Sequence, residues 1–182
     1  KYSNKDDTLL IMPSDHLIPD TLCFKNKIIE FQSKNFNNSW VTFGVKPSNP
    51  STSFGYIEIK EKEIIKSQFM KVIKFIEKPN EIKAEEMFKN SKYFWNSGIF
   101  AGKASMIIES INQHAPLIAK TCNLAFENSF LNLDNNEITF DKQFFNKIPS
   151  TSIDYSVMEK ANNILFSPLE CSWNDVGSWE TI

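Results

Sequence analysis

Short unbroken apolar runs alternate along this chain with segments whose apolar residues recur at helical spacing. Leu9 to Met12 is the first run, inside a strand expected over Thr8 to Met12, and it stops at Pro13-Ser-Asp-His. Such a run reads as a buried strand with polar groups at its carboxyl end. Asp20 is placed to cap a helix over Thr21 to Ser33, with Leu22, Ile29 and Phe36 spaced for one face. Trp40 to Val45 is β-branched and aromatic, hence strand, and Lys46 to Ser53, with its Pro and Ser residues, is loop. Phe54 to Lys60 and Val72 to Lys78 are further strands, the second stopping at Pro79. Asn80 can cap a helix across Glu81 to Lys89, whose first half is acidic. Phe94 to Ala101 is a strand interrupted by Asn96-Ser97-Gly98. Ala104 to Asn112 and Pro116 to Phe126 are helical, with Met106, Ile107 and Ile111 on one face. Leu131 to Glu137 is a polar loop. Thr151-x-x-Asp154 has the form of a capping box opening a helix through Lys160, and Asn163 to Pro168 closes the series as a strand.

Strands alternating with helices predict an α/β fold with a mixed, mostly parallel sheet and flanking helices. Ligands of such sheets bind beyond the carboxyl ends of strands, where Asp15 and Lys78 both fall. The 182 residues suit one domain over 1–182, and no repeat or interdomain linker divides them. A net charge of −2 offers no basic field for a nucleic-acid backbone, so an anionic ligand has to be held by a local site. No run approaches the ~18 apolar residues of a membrane span. No membrane or nucleic-acid partner is expected, and the expected location is cytoplasmic. The three cysteines, Cys23, Cys122 and Cys171, are far apart and lack metal-ligand spacing, which predicts three reduced thiols.

Four groups could carry chemistry. Asp15 follows a strand and a proline turn, and is either a Mg²⁺ ligand or a turn and cap residue. His16 beside it is either a general base or a hydrogen-bonded structural histidine. Glu77-Lys78 pairs a hydrogen-bond acceptor for sugar hydroxyls with a compact cation for phosphate, or is an exposed edge pair of little consequence. Asn96, beside Ser97 and Gly98, is a polar insertion in an apolar strand, either a bulge aimed at a ligand or a simple bulge. Asp175, in Trp173-Asn-Asp-Val-Gly-Ser-Trp179, is a second metal ligand or a surface turn.

The order of five segments is more specific than any one of them. "LLIMPSDHLI", "VTFGVKPSNPSTSFGYIEI", "VIKFIEKP", "YFWNSGIFAGKAS" and "SIDYSVMEKANNILFSPLECSWNDVGSW" together resemble the mannose-1-phosphate guanylyltransferases, from about Leu9 to Trp179. The last segment favours the mannose branch of the sugar-nucleotide pyrophosphorylases. The resemblance implies a Rossmann-like nucleotide-diphospho-sugar transferase fold. It also implies the reaction GTP plus mannose 1-phosphate giving GDP-mannose and pyrophosphate, with Mg²⁺. Carried over by motif, Asp15 and Asp175 form the metal pair and, with Lys78, the catalytic set. Gly55, Glu77, Lys78 and Asn96 contact the sugar phosphate.

Two departures from the family pattern stand out. Ser53-Phe54-Gly55-Tyr56 replaces Gly-Tyr-Gly-Tyr, which stiffens the loop and removes a hydroxyl. The family's opening Gly-rich segment, G-G-x-G-T-R-L, has no counterpart among this chain's five Gly. The fold is therefore expected to be N-terminally truncated and the chain alone to be inactive. Its cut sheet edge is expected to associate with another copy or with a separate N-terminal piece. Two other readings are a non-catalytic relative that binds a sugar phosphate, and a pyrophosphorylase for another sugar 1-phosphate.

Overall fold

A computed structural model describes residues 4–34, 36, 38–60, 69–132 and 137–177. In chain order the elements are β1 (Thr8–Ile11), α1 (Thr21–Gln32), β2 (Trp40–Val45), β3 (Tyr56–Ile59), β4 (Met70–Ile76), α2 (Glu81–Phe88), β5 (Tyr93–Lys103), α3 (Ala104–His114), α4 (Pro116–Glu127), β6 (Phe130–Asn132), β7 (Glu137–Thr139), α5 (Lys142–Phe145) and β8 (Ile164–Pro168). A π-helical turn, Asp154–Met158, precedes β8. The chain divides into two compact units, Lys1–Met106 with Asn162–Ile182, and Ile107–Ala161.

The first unit is built on a six-stranded sheet in the order β1-β5-β2-β8-β4-β3, with β3 also pairing β5. The class is α/β with a mixed sheet, as the alternation of elements predicts. β2 and β8 supply the parallel pairing, Trp40 opposite Ile164 through Gly44 opposite Pro168. The ladders of β5 with β1, β2 and β3, and of β4 with β3 and β8, run antiparallel. Alternation fixes which segments are strands but not the direction in which a crossover returns, so it does not foretell these ladders.

β2 sits centrally, and Trp40, Val41, Thr42 and Phe43 are fully buried. That burial on both faces is why the segment is β-branched and aromatic without polar alternation. At Gly44 an added Cβ would lie 2.5 Å from the Phe166 ring and 2.7 Å from the Trp95 carbonyl oxygen, so only Gly fits. The β2–β5 register slips there, Phe43 pairing Ile99 and Gly44 pairing Asn96, which leaves Ser97 and Gly98 as extra residues on β5. This is the bulge expected at Asn96-Ser97-Gly98. Its polar groups are satisfied locally: the Ser97 hydroxyl donates to Phe43 O at 2.6 Å and accepts from Ile99 N at 3.3 Å.

The caps predicted at Asp20 and Asn80 are present, while the turn expected to open on a Thr151 capping box has Ile153 at its N-cap and no side-chain cap hydrogen bond. Asp20 Oδ1 accepts from Cys23 N at 2.9 Å, and Asn80 Oδ1 accepts from Lys83 N at 3.0 Å. The buried face of α1 differs from the expectation. Leu22 and Ile29 are more than half exposed, while Phe24, Ile28 and Phe31 pack with Val41, Phe43 and Ile99. The helix carries two apolar stripes, and the aromatic one, at i, i+4 and i+7, covers the sheet. A second correction concerns the thiols. Cys23 and Cys171 form a disulfide with Cα atoms 5.8 Å apart, and Cys122 is free and exposed. Sequence spacing carries no trace of a pairing that folding alone brings about.

The second unit holds α4, α5, most of α3 and the β6–β7 hairpin, which occupies part of the expected polar loop; 133–136 lie outside the described residues. The helix expected from Thr151 to Lys160 is instead the short π-helical turn. Its first turn hangs on Ser152, which accepts Ser156 N through its carbonyl at 3.0 Å.

Gly44→Ala is expected to cost about 1–3 kcal/mol of unfolding free energy, because its methyl group meets a backbone oxygen that cannot move aside without breaking a ladder. The urea midpoint measures this. An unchanged midpoint would contradict the close approach at this position.

Candidate functional site

The residues singled out by sequence, Asp15, Gly55, Glu77, Lys78, Asn96 and Asp175, all lie in the first unit. β4 ends at Ile76, so Glu77 and Lys78 sit just beyond it and do not share its alternation. Lys78 has φ +43°, in the left-handed region that non-Gly residues rarely adopt. The turn takes the exposed Lys78 side chain off the line of the strand and seats Pro79 in a buried position. The strand expected to run through Lys78 is therefore replaced at its end by a turn that presents both groups beyond the sheet.

Gly55, Glu77 and Asn96 come together. A Cβ on Gly55 would collide with Glu77 Oε2 and lie 3.5 Å from Asn96 Cβ, so the Gly backbone is the floor on which the Glu77 carboxylate rests. Gly55 O also accepts from Asn96 N at 2.8 Å. The Asn96 side-chain oxygen accepts from Gly98 N at 3.1 Å and Thr42 Oγ1 at 3.3 Å, which fixes its orientation in a mostly buried site.

The segments that carry Asp15 and Asp175 are joined by a different device. Leu17 and Asn174 form an isolated antiparallel bridge, Leu17 N donating to Asn174 O at 2.8 Å and Asn174 N donating to Leu17 O at 3.0 Å. The exposed Asp15 lies just before one bridged residue, and the partly exposed Asp175 just after the other. The turn behind Asp175 is tight. Val176 has φ +52°, held by its N–H donating to Asn174 Oδ1 at 2.7 Å. A β-branched residue in that region costs about 1–3 kcal/mol and persists where its surroundings dictate it. A Cβ on Gly177 would come 2.7 Å from Asp175 Oδ2, so this turn leaves room for the carboxylate and little else.

The segments meet through aromatic contacts that the sequence did not foretell. Trp173 Nε1 donates to His16 Nδ1 at 3.2 Å, with the rings edge to face at 5.3 Å. The other side of Trp173 meets the Phe54 ring at 5.4 Å, and Phe54 meets Trp95 at 4.8 Å. Gly98 lies under Pro13 and His16, where an added Cβ would be 3.1 Å from Pro13 Cγ. His16 therefore takes the structural reading of the two left open. The only available signal for Trp173 was its place two residues before Asp175. Phe54, where the resembled family has Tyr, packs between two tryptophans in this aromatic wall.

Among the described residues no cluster of three or more His, Cys, Asp and Glu side chains is arranged to hold a metal. A pair of carboxylates with open positions is the donor set of a cation that completes its shell with water and substrate phosphate, as Mg²⁺ does.

The nucleotidyl transferase family model matches residues 1–182. The chain belongs to that family. Nucleotidyl transferases generally use a divalent metal. Among its relatives, the mannose-1-phosphate guanylyltransferase RfbM of Salmonella typhimurium is 36% identical over 179 residues, covering 98% of this chain and 36% of that protein. The alginate biosynthesis protein AlgA of Pseudomonas aeruginosa is 37% identical, with 98% of this chain and 37% of that protein covered. A solved structure described as mannose-6-phosphate isomerase from Helicobacter pylori superposes with a TM-score of 0.83 at 32% identity, covering 94% of this chain and 65% of that one. This chain thus spans little more than a third of the length of the curated relatives named.

Gly55→Ala is expected to push the Glu77 carboxylate aside, because the new methyl group would meet Glu77 Oε2. The melting temperature should move little, because Glu77 stands at the end of the sheet. A crystal structure of the variant checks the displacement, and a carboxylate left in place would contradict the close approach of Gly55 and Glu77.

Proposed function

We propose that this chain is the sugar-phosphate- and metal-binding part of a mannose-1-phosphate guanylyltransferase, which joins GTP and mannose 1-phosphate into GDP-mannose and pyrophosphate. The observation that supports the proposal is the pairing of Leu17 with Asn174, which joins the segments of Asp15 and Asp175, together with the meeting of Gly55, Glu77 and Asn96. The relative named for this activity supports it, as does the order of motifs. Both units belong to one nucleotidyltransferase domain in this reading, since the family match runs unbroken through them. The location is cytoplasmic, where nucleoside triphosphates are made and used.

The reaction forms a bond between a phosphate oxygen of the sugar phosphate and the α-phosphorus of GTP, and breaks the bond to pyrophosphate. Reactant and attacker are both anions, so the protein's work is positioning and charge compensation. Glu77 accepts hydrogen bonds from sugar hydroxyls. Asn96, its carbonyl committed to Gly98 and Thr42, turns its amide edge to the sugar. Lys78 offsets the charge of the attacking phosphate. Asp15 and Asp175 would hold Mg²⁺, which would supply compensation for phosphate charge.

The name of the Helicobacter pylori structure offers a second reading, aldose–ketose isomerisation of mannose 6-phosphate. Isomerisation needs a base that moves a proton between neighbouring carbons. Paired carboxylates at a turn beside a cation for phosphate suit phosphoryl chemistry better, and so does the family match.

In the full natural protein, Lys78→Ala is expected to lower turnover by about 10²–10³-fold, and chelation of divalent cations to abolish it. Release of pyrophosphate from GTP and mannose 1-phosphate is the assay, with conversion of mannose 6-phosphate to its ketose followed in parallel. Unchanged transfer kinetics in the Lys78 variant would remove Lys78 from the site. Isomerisation without pyrophosphate release would establish the second reading.

A further inference from the structure

The disulfide lies where it can act on the site. Cys23 stands in the first turn of α1, directly downstream of the loop that carries Asp15, His16 and Leu17. Cys171 stands directly upstream of Trp173, Asn174 and Asp175. The cross-link therefore ties the same two chain segments that the Leu17–Asn174 bridge pairs, on the side of the bridge away from the carboxylates. Apart from it, these segments are joined by the two backbone hydrogen bonds of that bridge and by the Trp173–His16 bond. Both sulfurs sit in the apolar cluster with Ile18, Phe31, Leu169 and Trp173, so the pair keeps its packing whether or not it is bonded. Cys171 is buried and Cys23 partly exposed, which leaves Cys23 as the sulfur that solvent can reach.

Resting on the metal-pair reading above, we propose that Cys23 and Cys171 are a reversible thiol–disulfide modification site that controls how firmly Asp15 and Asp175 hold a divalent cation. The oxidant is a low-molecular-weight disulfide, and the exchange balances. The Cys23 thiolate attacks one sulfur and expels one thiolate. The Cys171 thiolate then displaces the second, giving the protein disulfide and two reduced small thiols. Small thiols in excess reverse both steps. In a compartment that keeps thiols reduced, such a pair reports on redox state. Closed, it fixes the separation of the two segments and pre-organises the carboxylates. Open, it leaves the bridge as the main restraint, and the turn at Val176, already held against its preference, is free to relax.

The test uses the full natural protein carrying Cys122→Ser, so that the exposed thiol cannot exchange. Mn²⁺ affinity is measured by calorimetry after equilibration in oxidised or reduced glutathione, with circular dichroism on the same samples. Peptide mapping reports the Cys23–Cys171 link. The oxidised form is expected to bind Mn²⁺ about fivefold or more tightly than the reduced form, the lower end of ordinary site-to-site coupling. By reciprocity, Mn²⁺ should make the disulfide harder to reduce by the same factor. If the reduced chain loses its circular dichroism, the variant Cys23→Val/Cys171→Ala, which refills the apolar cluster without thiols, takes its place and should bind as weakly as expected of the reduced form. Equal affinity in the bonded and unbonded forms, with binding abolished by Asp175→Asn, overturns the redox coupling and leaves the metal pair standing. No Mn²⁺ binding in either form contradicts the metal pair, and the control with it.

Discussion

Two backbone hydrogen bonds between Leu17 and Asn174 join stretches of chain from opposite ends of the sequence, and the indole bond from Trp173 to His16, across 157 residues, runs beside them. Neither stretch belongs to a strand of the sheet. The loop after β1 and the turn after β8 would otherwise be independent, each free to place its aspartate anywhere within reach. The bridge ties the segment of Asp15 to that of Asp175, and Trp173 then meets Phe54, which in turn meets Trp95. The left-handed backbone at Val176 and the crowding at Gly177 are where the cost of this arrangement is stored.

The sheet supplies the complementary half. β5 carries Asn96 into the site because its ladder with β2 slips at Gly44, and the slip is stable because Ser97 satisfies the freed backbone groups. Gly98, in the left-handed region, gives Pro13 and His16 the space to lie against the bulge. Gly55 and Glu77 arrive from β3 and β4, which pair with each other. In the proposed reading Lys78 serves a substrate phosphate and the aspartates a cation, beside the aromatic wall of Phe54, Trp95 and Trp173.

What the sequence revealed follows from how local its causes are. Asp20 and Asn80 announce helix starts because a cap is satisfied within three residues. The bulge at Asn96-Ser97-Gly98 was visible as a polar break in an apolar strand. The α1 face was misread because Leu22 and Ile29 form a stripe as regular as that of Phe24, Ile28 and Phe31, and only the sheet beneath decides between them. The antiparallel ladders, the Cys23–Cys171 bond and the Trp173–His16 bond are long-range, with no periodicity to betray them. Likewise the candidate residues were legible as motifs, while the bridge and the close approach at Gly55 that position them were not. The turn at Lys78 lies between: Pro79 foretold the end of a strand, but the left-handed backbone that aims Lys78 is set by its surroundings.

The central claim is that the bridge makes one metal site from Asp15 and Asp175. Anomalous diffraction from crystals of the full natural protein grown with Mn²⁺ and mannose 1-phosphate tests it most directly. The account predicts one strong peak bonded to carboxylate oxygens of both aspartates, at distances close to the ~2.0–2.1 Å typical of Mg²⁺. A peak held by one of them alone, or one lying away from both, would contradict it.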